Sequence, residues 1–234
     1  MKRGLDQNIN VILKIRAIFT VIYACGLMFA ILFLSAIRWN YWYGWTFFLL
    51  WIYVQLFTAL LVPSEILQDR IYPGSGTKKW DYVIVYAFFI PLSYVVPLIA
   101  ALDGGRYHWT GNFPLWVTIL AFIVIFLGYT LLILSLRKNP FFSNTVRIQT
   151  ERGHYVIDKG PYAFIRHPGY AGLIISSFAI AIELNSLWAL IPAVLYTIVL
   201  IIRTILEDVT LQKELPGYSD YTARVKYRLI PRVW

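Results

Sequence analysis

The sequence predicts an all-α integral membrane protein of about six transmembrane helices, and three observations carry that prediction. Of 234 residues, 59% are hydrophobic and 14% charged, with a mean hydropathy of +0.63; soluble domains hold roughly 45–50% apolar and about 25% charged residues. Six apolar stretches approach the ~20 residues needed to cross a bilayer. Alternating those stretches places all but two of the 21 lysines and arginines on one side of the membrane.

The stretches are Ala17–Ile37, Trp42–Val62, Tyr82–Leu102, Pro114–Leu136, Tyr170–Leu184 and Leu187–Ile205. The first follows Lys2 and Arg3 but exceeds the 7–15 residues of a signal-peptide core and ends without a small-x-small cleavage site, so it reads as a retained helix. The aromatic run Trp39, Tyr41, Trp42, Tyr43 and Trp45 reads as an interfacial belt. Span three carries Pro91 and Pro97, candidate kinks beside a lateral opening. The fifth stretch is the shortest and crosses only if its helix begins near Pro168; five spans with one re-entrant segment is the alternative. Arg38 and Arg106 are the two basic residues on the far side, which by the positive-inside rule places both termini in the cytoplasm. The net charge of +9 is then explained by anionic headgroups and requires no nucleic acid. Cys25 is the only cysteine, and His108, His154 and His167 lack the spacing of a helical metal site, so no metal is expected.

Two basic-side segments depart from lipid-facing scaffold. The connection Arg137–His167 is long for a loop, yet RGHYVIDKGPYAFIRHPGY (Arg152–Tyr170) interleaves aromatic, β-branched and turn residues in a way disordered chains do not. The tail Arg203–Trp234 opens as an amphipathic helix and breaks at Pro216-Gly217. From Pro168 to Glu183 a helix rises about 23 Å, and from Leu187 back to Arg203 about 24 Å. The hairpin therefore returns Arg203 to the depth of Arg166 and His167. Arg203 and Glu207 share a helix face and can pair. Ionisable residues gathered at a lipid boundary mark a functional site; the alternative is that Arg166 and Arg203 are snorkelling anchors.

The string GPYAFIRHPGYAG (Gly160–Gly172), followed by RTILED (Arg203–Asp208) and LPGYSDYTARVKYRLIP (Leu215–Pro231), resembles the isoprenylcysteine carboxyl methyltransferase family, part of a wider group with the membrane phospholipid methyltransferases. GTKKWD (Gly76–Asp81) and NPFFS (Asn139–Ser143) look like linker motifs of its prokaryotic members, which implies a prokaryotic plasma membrane. The resemblance divides the chain into a transmembrane scaffold, 1–136, and a catalytic region, 137–234. It implies S-adenosylmethionine as methyl donor at the cytoplasmic face. By motif position, His154, Val156, Gly160, Tyr162, Arg166, His167, Pro168 and Tyr170 become cofactor contacts, and Arg203 and Glu207 catalytic residues. Many relatives carry two consecutive glutamates where this chain has Glu207-Asp208. Asp208 points to another helix face, which weakens any role for it. The acceptor implied is lipophilic: a prenylated cysteine carboxylate, a phospholipid headgroup, or a small thiol or acid.

The chemistry fits. Arg166, His167 and a helix N-terminus near Pro168 suit the donor's carboxylate, and Tyr162 or Tyr170 suits its sulfonium. Two rivals differ in class. A membrane sterol or steroid reductase using NADPH has a distantly similar C-terminal pattern but different residues around its Arg-His. A transporter would place charge near the bilayer midplane, whereas here the ionisable cluster sits at one surface.

Overall fold

Apolar chain in lipid must satisfy its backbone polar groups internally, and helices do this segment by segment. The computed structural model describes residues 18–62 and 74–234. Ala17, at the start of the first span, and the basic residues Lys2, Arg3, Lys14, Arg16 and Arg70 lie outside them. Among the described residues no strand occurs. The helices are α1 (Ile18–Leu34), α2 (Trp42–Leu61), α3 (Lys79–Tyr107), α4 (Leu115–Lys138), α5 (Pro168–Glu183), α6 (Leu190–Glu214) and the short α7 (Tyr218–Arg224). Four of them, α2, α3, α4 and α6, are long and apolar enough to span a membrane; the described part of α1 and all of α5 are shorter apolar helices. The chain is a multi-pass membrane protein.

Helix α5 is short because it is central. It packs on α4, α6 and α3, and eleven of its sixteen residues are buried. Its closest seam is with α4: a Cβ on Gly172 would strike the Gly128 carbonyl, and one on Gly128 would strike Ser176 Oγ and the Gly172 carbonyl. Small residues let membrane helices approach this closely. The outward face of α4 (Leu115, Trp116, Ile119, Leu120, Ile123, Leu127) is exposed, as a lipid-facing stripe must be.

Three boundaries differ from the sequence reading, each for a polar reason. Helix α3 extends beyond Tyr82–Leu102 at both ends because its terminal acids have partners. Asp81 is met at the basic end, and Asp103 at the far end accepts from Thr110 N, Thr110 Oγ1 and Ser186 Oγ. Leu187 and Trp188 belong to the α5–α6 turn rather than to α6, since Leu187 N donates to Thr110 Oγ1 and Ala189 N to Ser186 Oγ. The amphipathic segment after Arg203 is no separate helix; α6 runs through it unbroken to Glu214. Tyr41 also leaves the aromatic belt: it is fully buried and donates to the Leu184 carbonyl at 2.9 Å, while Trp39 and Trp42 remain exposed.

Within α3, residues Ile84–Phe89 form a π-helical stretch just before Pro91. Proline offers no N–H to the carbonyl four residues back, and such local adjustments absorb the defect.

Gly172→Ala should reverse the usual sign of a helical Gly→Ala change. It should destabilise the protein by about 1–3 kcal/mol through overpacking, whereas Gly26→Ala, where a Cβ meets nothing within 4 Å, should stabilise it by up to about 1 kcal/mol. Denaturant titration in detergent checks both.

Candidate active site

The connection after α4 folds back over the basic end of the bundle. Asn139 starts it, its Oδ1 accepting from Phe141 N at 2.9 Å. Gln149 closes the loop from inside: fully buried, it donates through Nε2 to the Phe141 carbonyl at 2.8 Å, and its backbone N–H reaches His154 Nδ1. His154 stacks on Phe141 with ring centroids 4.3 Å apart. A 3-10 turn (Gly160–Ala163) then leads to the Arg166-His167-Pro168 corner, where α5 begins with proline in its first turn.

That corner is pinned to α6 and to the tail. Arg166 N donates to the Tyr227 carbonyl at 3.0 Å and His167 N to the Arg228 carbonyl at 2.9 Å. Below them lies Asp208, with no exposed surface. One of its oxygens accepts from Tyr218 OH at 2.8 Å and faces His167 Nε2 at 3.3 Å; the other meets Arg228 Nε at 2.9 Å and Arg166 Nη2 at 3.1 Å. Asp208 therefore has a role the sequence reading discounted. It does point away from Glu207, but that other face is the one on which the loop and tail pack.

Arg203 and Glu207 are correctly placed on one face of α6 and yet do not pair. Arg203 Nε and Nη2 bind Asp81 at 2.8 and 3.1 Å, and Nη2 also donates to the Asn144 carbonyl at 2.6 Å. Glu207 instead accepts from Tyr170 OH at 2.7 Å. The guanidinium lies over the rings of Tyr170 and Phe89 at 5.2 and 5.5 Å.

These groups surround a cavity of about 760 Å³, its open mouth included. His154, Val156, Tyr162, Arg166, His167, Tyr170, Arg203 and Glu207 all line it, along with Asn139, Arg147 and Tyr221. Gly160 and Pro168 do not. Gly160, with φ +63°, turns the chain against the Lys138 side chain, and Pro168 sets the start of α5. Asn139, Arg147 and Asp81 were not singled out by the sequence reading as site residues, although Asp81 and Asn139 lie in the motifs GTKKWD and NPFFS.

A second and larger cavity, about 1,710 Å³ with its opening, lies among the membrane helices. Trp51, Tyr94, Tyr129, Leu173, Ile180 and Tyr196 are among its walls. The two cavities share Phe142, Ser143, Tyr170 and Arg203. A polar chamber at the basic end and an apolar chamber between the helices thus meet at the Tyr170–Arg203 contact.

The comparisons bear on the segment that builds this junction. Residues 117–213 match the sequence profile of the Isoprenylcysteine carboxyl methyltransferase (ICMT) family. Over that stretch, less than half of the chain, it is similar to the isoprenylcysteine carboxyl methyltransferase family. The matched segment runs from α4 through the loop and α5 to the end of α6, so this family region contains Arg166, His167, Arg203 and Glu207. Among solved structures, the chain is similar to that of the eukaryotic intramembrane Ras methyltransferase ICMT, with a TM-score of 0.52, 19% identity, and 96% of this chain and 85% of that chain covered. At that identity the likeness speaks for the fold. No curated protein matches. Neither the reductase nor the transporter expectation finds support in these comparisons.

Electrostatics set the state of one cavity-lining group. Burial, reinforced by Arg147 and Arg152, lowers the His154 imidazole to about 4, so at neutral pH the ring is uncharged and Nδ1 is free to accept from Gln149 N. A histidine that protonates near 6.5 when unfolded but near 4 when folded favours the unfolded chain as pH falls through that window. Its contribution is present above pH 6.5 and lost on the way down to 4. His154→Phe, which keeps the stack on Phe141, should therefore show a shallower fall in Tm between pH 6.5 and 4 than the parent protein. Equal slopes in a thermal-shift series would remove this assignment.

Proposed function

We propose that the chain transfers a methyl group from S-adenosylmethionine, held in the polar cavity, to a lipophilic acceptor lying in the apolar one. The match of residues 117–213 to a methyltransferase family supports the reaction class. The observation that carries the pairing of donor and acceptor is the shared wall of the two cavities at Tyr170 and Arg203. The donor supplies an electrophilic methyl on a sulfonium centre. Such displacements need nucleophile, carbon and leaving group in line, and much of the acceleration comes from holding them so. Two chambers that meet at one point provide that arrangement.

The residues present fit the donor. Arg166 Nε is buried on the cavity wall with no hydrogen-bond partner among the described residues, and an unmet guanidinium N–H is costly unless an anion occupies it. The donor's carboxylate is such an anion. Neutral His154, Phe141 and Val156 offer a flat, weakly polar surface for an adenine ring. Tyr162 is placed for the sulfonium, since the face of Tyr170 already carries the Arg203 guanidinium. Tyr170 acts instead through its hydroxyl, which orients Glu207.

On the acceptor side, Arg203 commits Nε and Nη2 to Asp81 and Asn144 and leaves Nη1 uncommitted among the described residues. That group suits an anionic oxygen. We therefore take a carboxylate on an apolar tail, of the prenylated-cysteine kind, as the first acceptor to test. The similar solved structure is named as an intramembrane Ras methyltransferase. With a protonated acceptor, such as a thiol or a headgroup amine, Glu207 is the proton acceptor. The basic end faces the cytoplasm in this reading, by the charge asymmetry of the loops.

Purified protein incubated with methyl-labelled donor, a prenylated cysteine analogue and membrane lipid extract should place label in an apolar product identifiable by mass spectrometry. Arg203→Lys with the prenylated cysteine carboxylate, and Glu207→Gln with a thiol or amine acceptor, should each reduce turnover by about a hundredfold or more and leave S-adenosylhomocysteine affinity nearly unchanged. Ser177→Trp, which fills the membrane cavity, should raise the acceptor KM and spare donor binding. Absence of labelled lipid product, or normal kinetics in Ser177→Trp, would contradict the reading.

A further inference from the structure

We infer that Asp81 is a positioning residue for this site: its carboxylate holds the Arg203 guanidinium away from Glu207 and ties that choice to the wall of the donor cavity. The inference rests on the proposed methyl transfer for the roles of Arg203 and Glu207; the geometry behind it is independent.

Arg203 and Glu207 are four apart on α6, the spacing at which opposite charges on a helix pair. In a low-dielectric setting that pairing would be strong. It does not occur because Asp81, 122 residues earlier in the chain, takes the guanidinium through Nε and Nη2, at 2.8 and 3.1 Å. The two-point geometry suits a planar fork better than a single contact from a residue on the same helix. Two carboxylates compete for one cation, and the bidentate one wins. The loser, Glu207, is left with only the Tyr170 hydroxyl among the described residues and so stays available to the cavity it lines.

Asp81 has a third attachment. Its Oδ2 accepts from Val146 N at 2.6 Å, while Lys78 N donates to the Val146 carbonyl at 3.0 Å and Thr77 Oγ1 lies 3.2 Å from Thr145 Oγ1. Thr145, Val146 and Arg147 line the donor cavity. A single carboxylate with no exposed surface thus joins the start of α3, the donor-cavity wall and the residue shared by both cavities. The motif GTKKWD, which lies outside the family-matched segment 117–213, supplies all of it.

Asp81→Asn separates these attachments. The amide oxygen still accepts from Val146 N, so the donor wall is kept, but the negative charge that holds Arg203 is gone and the guanidinium turns to Glu207. Turnover should fall by about a hundredfold with S-adenosylhomocysteine affinity, read by calorimetry, within about threefold of the parent. Asp81→Ala, which also loses the Val146 bond, should weaken donor binding as well. In an Arg203→Lys background, already deprived of the fork, Asp81→Asn should add less than about twofold, because residues acting through one another are non-additive.

A parent enzyme that methylates its acceptor while Asp81→Asn turns over normally, or loses donor affinity and turnover in equal measure, overturns the positioning role alone. Full additivity of Asp81→Asn with Arg203→Lys overturns it too. A parent protein that transfers no methyl group overturns the methyltransferase reading, and the inference with it.

Discussion

Asp208 is the point on which the basic end of this protein depends. It has no exposed surface, and four side chains from two parts of the chain converge on its two oxygens: Arg166 and His167 from the corner before α5, and Tyr218 and Arg228 from the tail. Breaking one side of such a buried charge cluster costs about 3–5 kcal/mol, because the remaining charges stay buried without compensation. The tail also meets the corner through its backbone, at Tyr227 and Arg228. With loop and tail fixed to α6 in this way, the groups on the neighbouring face, Arg203 and Glu207, are held opposite Tyr170 rather than splayed toward the headgroups.

The bilayer explains why this polar machinery sits at one end. Charge within the hydrocarbon region is expensive, and the walls of the membrane cavity are accordingly mostly aromatic and aliphatic, with polar side chains limited to hydroxyls, the Trp51 indole and the amides of Gln55 and Asn144 until Arg203 is reached. Arg203 is tolerated there only with Asp81 beside it. At the far end, Asp103 is satisfied by Thr110 from the α3–α4 connection and by Ser186 from the α5–α6 turn. That closure fixes the hairpin's outer turn and hence the level at which its two basic-end clusters face each other. The close seam at Gly128 and Gly172 sets the lateral spacing.

Much of this was legible in the sequence because it is periodic or local. Apolar length located the helices, and helical rise alone brought Arg166, His167, Arg203 and Glu207 to one level. The interleaved composition of Arg152–Tyr170 marked an ordered loop. What escaped is non-local. Nothing near Arg203 announces that a carboxylate 122 residues away outcompetes Glu207. Asp208 looked peripheral because a helical wheel shows which way a residue points, not what packs there. Tyr41 passed for a belt residue because an aromatic at an interface reads the same whether it faces lipid or donates to a buried carbonyl. Gly160, taken for a cofactor contact from its motif position, turns instead against Lys138.

An experimental structure with S-adenosylhomocysteine bound tests the central claim most directly. The account places its carboxylate at Arg166 and its sulfur toward the Tyr170–Arg203 contact, at the opening into the membrane cavity. A ligand seated with its sulfur turned away from that opening, or bound elsewhere on the protein, would contradict it.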